Sequence, residues 1–254
     1  MAVQYETEGH VAIITLDRPD ARNAVNAAVA QGMEAALDKF EGDDSLWVAI
    51  IRSSGKVFCA GADLKEVSSG NARGLSTQKG GFAGITKRER TKPVIAAVNG
   101  AAVAGGCEIV LSCDMVVAAE DARFGVPEVK RSLVAGAGGL FRLPRAVGMN
   151  VGMELILTGD PIDVNRAYQL GLVNHVVPLD KLMDAAMDLA GRIIANAPLA
   201  VQKSRAVAIR SLKDDDDTLW KASRDAMAEL AKTEDFAEGP RAFIEKRAPV
   251  WKAR

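Results

Sequence analysis

Short apolar blocks separated by turn residues dominate the first half of the chain, and helical amphipathic spacing dominates the second. Gly9 to Leu16 reads as a β-strand, ended by Asp17-Arg18-Pro19-Asp20. Asn26 is placed to cap a helix over Ala27 to Phe40. Val29, Met33, Ala36, Leu37 and Phe40 share one face of that helix, with Glu34, Asp38 and Lys39 toward solvent. Trp47 to Ile51 is a second strand, followed by Ser53-Ser54-Gly55 and Val57-Phe58. Strand, helix, strand in this order predicts a right-handed crossover unit and an α/β fold. From Ser68 to Gly84 the chain is rich in Gly, Ser and Asn with few large apolar residues, which predicts a mobile surface loop of the kind that borders ligand sites.

Pro93 to Val98 is another strand-forming run, and Asn99-Gly100 punctuates it before small residues lead to Gly105-Gly106. Cys107 to Ser112 then reads as a short helix, Met115 to Ala119 as a buried strand, and Phe124-Gly125-Val126-Pro127 as a turn. Beyond it, Val151 to Leu157 and Val164 to Leu170 read as helices, separated by the Thr158-Gly159-Asp160-Pro161 turn, and Gly171 ends the second. Val173 to Val177 is the last strand. Amphipathic helices follow at Leu182 to Ala195, Pro198 to Ser211 and Leu219 to Lys232. The pattern divides the chain into a core, residues 1–195, and a helical C-terminal region, residues 196–254, suited to subunit contact.

With 254 residues, 48% of them hydrophobic and 26% charged, the chain can bury a substantial core as a soluble globular protein. A formal net charge of −1 gives no general attraction to nucleic acid or to an anionic membrane, so any phosphate-bearing ligand must be held locally. No run of about 18 apolar residues is present, and the N-terminus lacks the charged, apolar and cleavage regions of a signal peptide; a cytoplasmic location is the expectation. Cys59, Cys107 and Cys113 show no CxxC spacing and read as packed, reduced thiols. His10 and His175 are the only histidines, which leaves a histidine metal site or a Ser-His-Asp triad without support. The acidic run at 214 to 217 lacks the spacing of a calcium loop and reads as a solvated helix start.

Two carboxylates carry the candidate chemistry. Glu108 falls in the first turn of its helix, where capping alone would account for it. Its neighbours are Gly105, Gly106, Cys107, Ile109, Val110 and Leu111, however, and a carboxylate in apolar surroundings needs a partner or a task. Glu128 follows a turn that can aim it at the same cavity, although beside Lys130 and Arg131 it also reads as an exposed acid. A second stretch of small residues, Phe58 to Lys65, leaves the backbone accessible, or else is a tight turn before a helix capped by Asp63.

The motifs AGADLKE (60 to 66), AGGCEIVLSCD (104 to 114), GVPE (125 to 128) and GAGGLFRLPRAVG (136 to 148) resemble those of the enoyl-CoA hydratase/isomerase, or crotonase, family, in matching order over nearly the whole chain. The resemblance implies a crotonase-like spiral of ββα units with a helical C-terminal region, assembled as a homotrimer or a dimer of trimers. It implies a hydro-lyase that adds water reversibly, in the syn sense, to a 2-enoyl-CoA thioester. No metal or separate cofactor is implied, since coenzyme A is part of the substrate.

Carried onto this sequence, the resemblance gives the backbone N–H groups of Ala62 and Gly105 to an oxyanion hole. It gives Glu108 to deprotonating the water that attacks C3, and Glu128 to the proton at C2. It places coenzyme A against Arg22, Ala24, Ala60, Ala62, Asp63, Leu64, Lys65 and Gly105, with Phe243 and Lys246 near its nucleotide end, on this or a neighbouring subunit. Lys65 also reads as an ordinary exposed helix lysine, and Phe243 and Lys246 as part of a solvated face.

The sequence departs from the common family pattern at Arg131, where many members have an apolar residue, and at Leu133-Val134-Ala135, which lacks a proline. Both lie where the acyl pocket is shaped. Three functions stay open: a 2-enoyl-CoA hydratase; a related isomerase or specialised hydratase, such as one for carnitinyl-CoA; and a non-catalytic acyl-CoA-binding protein.

Overall fold

The computed structural model describes residues 2–254. The N-terminal hairpin joins β1 (Val3–Glu8) to β2 (Val11–Leu16), and α1 (Ala27–Gly42) follows. Asn26 caps α1 by accepting from the Val29 N–H at 3.0 Å, and the apolar face read from the sequence is buried as expected. Next come β3 (Val48–Ser53), β4 (Val57–Cys59), α2 (Leu64–Ser68), and a two-residue ribbon of β5 (Ser76–Thr77) with β6 (Gly81–Phe82). Two further repeats supply β7 (Val94–Val98), β8 (Ala101–Val103) and α3 (Gly105–Val110), then β9 (Met115–Ala119), β10 (Arg123–Gly125) and a 3-10 turn at Pro127–Arg131.

The remainder is helical apart from two short strands. It comprises α4 (Gly139–Val147), α5 (Met149–Thr158), β11 (Ile162–Asp163), α6 (Val164–Gln169), β12 (His175–Val177), α7 (Leu182–Ile194), α8 (Pro198–Arg210), α9 (Asp216–Leu230) and α10 (Glu234–Glu245).

In each repeat the first strand enters a six-stranded sheet, ordered β1-β2-β3-β7-β9-β12, and the second enters a four-stranded sheet, ordered β11-β10-β8-β4. This is the spiral of ββα units that the motifs imply. The large sheet is parallel from β2 to β12 and is buried on both faces, which explains its nearly unbroken apolar strands. Alternate side chains diverge. Val11, Ile13, Val48, Ile50, Ile95, Ala97 and Val117 pack under α7, while Ala12, Ile14, Ala49, Ile51, Ala96 and Val98 join α1, α3 and the small sheet in the main core.

The small sheet sets the site. β4, β8 and β10 are adjacent and parallel, so their C-terminal ends lie side by side. The segments that follow them start at Ala60, Ala104 and Val126, and these carry the candidate chemistry. Ligands in parallel sheets gather at such strand ends because short connections there expose backbone and side chains together.

One expectation, the mobile 68–84 loop, needs correction, and two elements, β1 and α10, were not anticipated. β1 is paired and ordered, although its polar VQYETE sequence gives no apolar run to read. The 68–84 stretch is tied to α1 instead of lying free: the Gly80 N–H and the Thr77 hydroxyl both donate to the Glu34 carboxylate. α10 runs through Gly239 and Pro240, started by Thr233, whose hydroxyl accepts from the Phe236 N–H. The run at 214 to 217 does begin a helix, with the Asp215 carboxylate accepting from the Thr218 N–H at 2.8 Å.

The helical tail is docked on the core. Asp114 bridges Arg90 and Arg205, at 3.0 and 2.9 Å, fixing α8. No helix among the described residues is long and apolar enough to cross a membrane.

Ile50 lies wholly buried between β3 and α7, so Ile50→Ala should cost about 2–5 kcal/mol in unfolding free energy, measured by denaturant titration, with the fold retained.

Candidate active site

The turn at Arg18 to Asp63 is assembled by backbone pairing. Arg22 and Asn23 both adopt left-handed conformations, and the buried Asn23 side chain donates to the Ser54 and Val57 carbonyls, each at 2.8 Å. The Arg22 carbonyl then accepts from the Ala60 N–H, the Gly61 carbonyl accepts from the Val25 N–H, and the Val25 carbonyl accepts from the Asp63 N–H. These last two bonds flank Ala62 in a parallel bridge with Val25, so the Ala62 N–H faces away from Val25.

A side chain at Gly61 would place its Cβ 3.0 Å from the Gly105 nitrogen, so only glycine permits the two loops to approach this closely. Gly61 also takes a positive φ of 94°. Gly105 opens α3, where its N–H has no partner within the helix. Ala104, just before it, has a φ of 53° and ψ of −130°, a conformation that costs a non-glycine residue about 1–3 kcal/mol and that fixes the direction of the following amides.

One cavity of about 1060 Å³ collects most of these groups. Among the residues expected to touch substrate, Arg22, Ala60, Ala62, Leu64, Gly105, Glu108 and Glu128 line it. Ala24 and Asp63 do not. The Ala24 carbonyl accepts from Arg18 at 2.6 Å, and Asp63 pairs with Arg18 at 3.2 Å while capping α2, so both support the loop from behind. Lys65 is an exposed residue of α2 outside the cavity wall. Phe243, 86% exposed, and Lys246, in the left-handed cap of α10, are not brought to the cavity by this chain's own fold.

The two carboxylates differ in environment. Glu108 is buried, and its Oε1 accepts from the Gly139 N–H at 2.9 Å. A Cβ on Gly139 would stand 3.2 Å from that oxygen and 2.8 Å from the Ala135 Cβ, which is why glycine occupies the position. Burial raises the Glu108 pKa, opposed by the N–H groups of Gly139 and Ala137 and by the Arg142 guanidinium. Arg142 is held by the Ser112 hydroxyl at 3.1 Å and the Thr86 carbonyl at 2.7 Å.

Glu128 projects from the 3-10 turn, and its Oε2 is buried without a partner among the described residues. Burial, with the Glu108 charge adding to it, outweighs its own backbone N–H and Arg131 and pushes its pKa up to about 7. Glu108 thus meets donors from another segment, the N–H groups of Ala137 and Gly139, whereas Glu128 has only its own backbone N–H, so the two carboxylates sit in inequivalent environments.

Gly139, Arg142 and Phe82 are the site residues for which the sequence suggested no role. The GAGG motif was visible, but its contact with Glu108 spans 31 positions and has no local signature. The C-terminal region also supplies Ile209, Leu212 and Lys213 to the cavity wall. Cys59, Cys107 and Cys113 are free thiols pushed up to about 12 by burial, in keeping with packing roles. No group of His, Cys, Asp or Glu side chains suited to a metal ion occurs among the described residues.

A family model, enoyl-CoA hydratase/isomerase, matches residues 6–254. The chain belongs to that family. It is 41% identical over 247 residues to a short-chain-enoyl-CoA hydratase of Clostridium acetobutylicum, covering 95% of this chain and 94% of that one. The crystal structure of an enoyl-CoA hydratase from Mycobacterium tuberculosis superposes with a TM-score of 0.96 at 44% identity, covering 100% of this chain and 99% of that one. A structure titled carnitinyl-CoA hydratase, from Mycobacterium avium, is 47% identical with a TM-score of 0.78, again covering 100% and 99%. The crotonase architecture is thereby established for the whole chain.

Because the folded protein holds Glu128 protonated to about pH 7, whereas an exposed glutamate ionises near 4.5, the native state binds the extra proton and stability declines as pH rises between these values. Glu128→Gln should leave stability near its wild-type value at about pH 5 and raise it by about 1–2 kcal/mol at about pH 8, allowing for partial solvent exposure. Denaturant titration across pH checks this; a constant difference would disprove the raised pKa.

Proposed function

We propose that the protein is a hydro-lyase, an enoyl-CoA hydratase that adds water reversibly and in the syn sense to a 2-enoyl-CoA thioester. The observation that carries the reading is the convergence on one cavity of two inequivalent carboxylates, Glu108 and Glu128, with the strand-end loops bearing the Ala62 and Gly105 amides.

The thioester carbonyl lies between the Ala62 and Gly105 N–H groups. Ionised Glu108, oriented by Gly139, takes a proton from water as its oxygen bonds to C3. Electron density moves through C2 to the carbonyl oxygen, where the two amides stabilise the growing enolate by roughly 3–4 kcal/mol per donor. Protonated Glu128 delivers its proton to C2. Turnover leaves Glu108 protonated and Glu128 ionised, and exchange with solvent restores the pair.

Retention of the inward, hydrogen-bonded Glu108 argues against an isomerase, which needs one acid, and two tuned carboxylates argue against a non-catalytic binder. A second reading, a hydratase of carnitinyl-CoA type, is favoured by the 47% identity to the Mycobacterium avium structure.

Coenzyme A is carried by the substrate, and this mechanism uses no other cofactor. We place its entry beside Arg22, Ala60 and Leu64, with Phe243 and Lys246 meeting the nucleotide end in a neighbouring subunit. A homotrimer or dimer of trimers is supported by exposed apolar faces: Met149, Met153 and Leu157 form a stripe along α5, and α9 buries no residue although it carries Trp220 and Met227. Residues 1–195 then form the catalytic core, and residues 196–254 add subunit contact to their share of the cavity. The free thiols fit a reducing, cytoplasmic location.

Loss of the conjugated-thioester absorbance reports turnover. Glu108→Gln and Glu128→Gln should each lower kcat by about 10²–10⁴. Wild-type kcat/KM for hydration should fall as pH rises through about 7, and that for dehydration of the 3-hydroxyacyl product should fall in parallel, since both directions start from the pair of carboxylates holding a single proton and the reaction takes up none. Binding of enoyl thioesters without absorbance loss in wild type would refute the hydratase reading.

A further inference from the structure

We propose that the acyl end of the cavity selects an enoyl thioester bearing a carboxylate at the far end of its acyl chain and disfavours one bearing a quaternary ammonium group. The inference rests on the hydration reading, which orients the thioester. With the carbonyl at Ala62 and Gly105, the carboxylates must face C2 and C3, so whatever lies beyond them meets the rest of the acyl chain.

Two ladders of side chains extend outward from the carboxylates. In the 3-10 turn at Pro127–Arg131, Glu128 and Arg131 stand three positions apart and therefore on one face. In α4, Gly139, which holds Glu108, is followed at three-residue steps by Arg142 and Arg145. Glu128, Arg131, Arg142 and Arg145 line the cavity, whose wall otherwise carries Arg22, Lys87 and Lys213 as cations, with Glu108 and Glu128 as its only acids among the described residues. Arg142 is occupied by Ser112 and Thr86, but Arg131 and Arg145 have no hydrogen bond or ion pair among the described residues.

The apolar part of this wall, Leu133, Val134 and Leu212, can cover methylene groups, leaving the free guanidinium groups for an anionic terminus. A quaternary ammonium group would need an aromatic cage. The wall offers two rings. Phe82 is packed against Gly105, and the Phe141 ring already has the Arg142 and Arg145 guanidinium groups 5.5 and 5.4 Å from its centroid. A cation there would meet like charge.

The test compares three 2-enoyl-CoA thioesters of matched chain length, ending in a methyl, a carboxylate or a trimethylammonium group, by kcat/KM. The carboxylate should exceed the methyl by roughly tenfold or more, and the trimethylammonium compound should fall below it by a similar factor. Arg131→Met and Arg145→Met should each lower the carboxylate-to-methyl ratio several-fold, and Arg145→Glu should bring the cationic substrate above the anionic one. Equal rates for all three, or a preference for the cation, overturn the proposal. So does an equal loss on all three substrates in the arginine variants, which would assign these side chains to the phosphates of coenzyme A. Calorimetric affinities of the corresponding saturated thioesters give the charge ranking independently of turnover. Failure of the hydration reading, seen as no turnover of any enoyl thioester, is thus distinct from failure of the charge preference.

Discussion

The pairing of β4, β8 and β10, three short adjacent parallel strands, is the constraint on which the site depends. It aligns their C-terminal ends, so that segments about 40 and then 20 residues apart in sequence begin on one line. The spiral makes this possible because each repeat sends one strand to the large sheet and the next to the small one. The large sheet, buried by α1 and α7, supplies most of the apolar core, and the small sheet is left to shape the cavity.

Close backbone approach is the second requirement. Gly61 and Gly105 pass near one another, Gly106 lies against the Cys59 carbonyl, where a Cβ would come within 2.1 Å, and Gly139 reaches the Glu108 carboxylate. Each contact excludes larger side chains for a steric reason. The strain at Ala104 belongs to the same arrangement, since the turn it makes fixes where the first amides of α3 point. A rigid frame of amides needs little reorganisation when charge develops on a bound oxygen, which is the physical basis of the proposed catalysis.

Much of this was legible in the sequence. The buried strands read directly from their apolar runs, α1 from its period and its Asn26 cap, and Glu108 and Glu128 from glycine-rich and turn-forming surroundings; the motifs then indicated the family and its fold. What was not legible has physical causes. β1 is an edge strand with polar faces, α10 contains residues that ordinarily interrupt helices, and the 68–84 stretch is ordered by a remote carboxylate, Glu34. The holders of the acids, Gly139 and Arg142, act across long sequence separations. The family resemblance assigned Asp63 and Ala24 to coenzyme A, whereas the Asp63 carboxylate and the Ala24 carbonyl are engaged by Arg18.

The central claim is a division of labour, with Glu108 serving oxygen at C3 and Glu128 serving hydrogen at C2. Exchange of the C2 hydrogen of a saturated acyl-CoA in deuterated water isolates the second task, because no water adds and no hydroxyl leaves. The mass of the recovered thioester should rise with wild type and with Glu108→Gln, and should stay nearly unchanged with Glu128→Gln. Exchange that survives in Glu128→Gln but is lost in Glu108→Gln would contradict the account and reverse the roles of the two carboxylates.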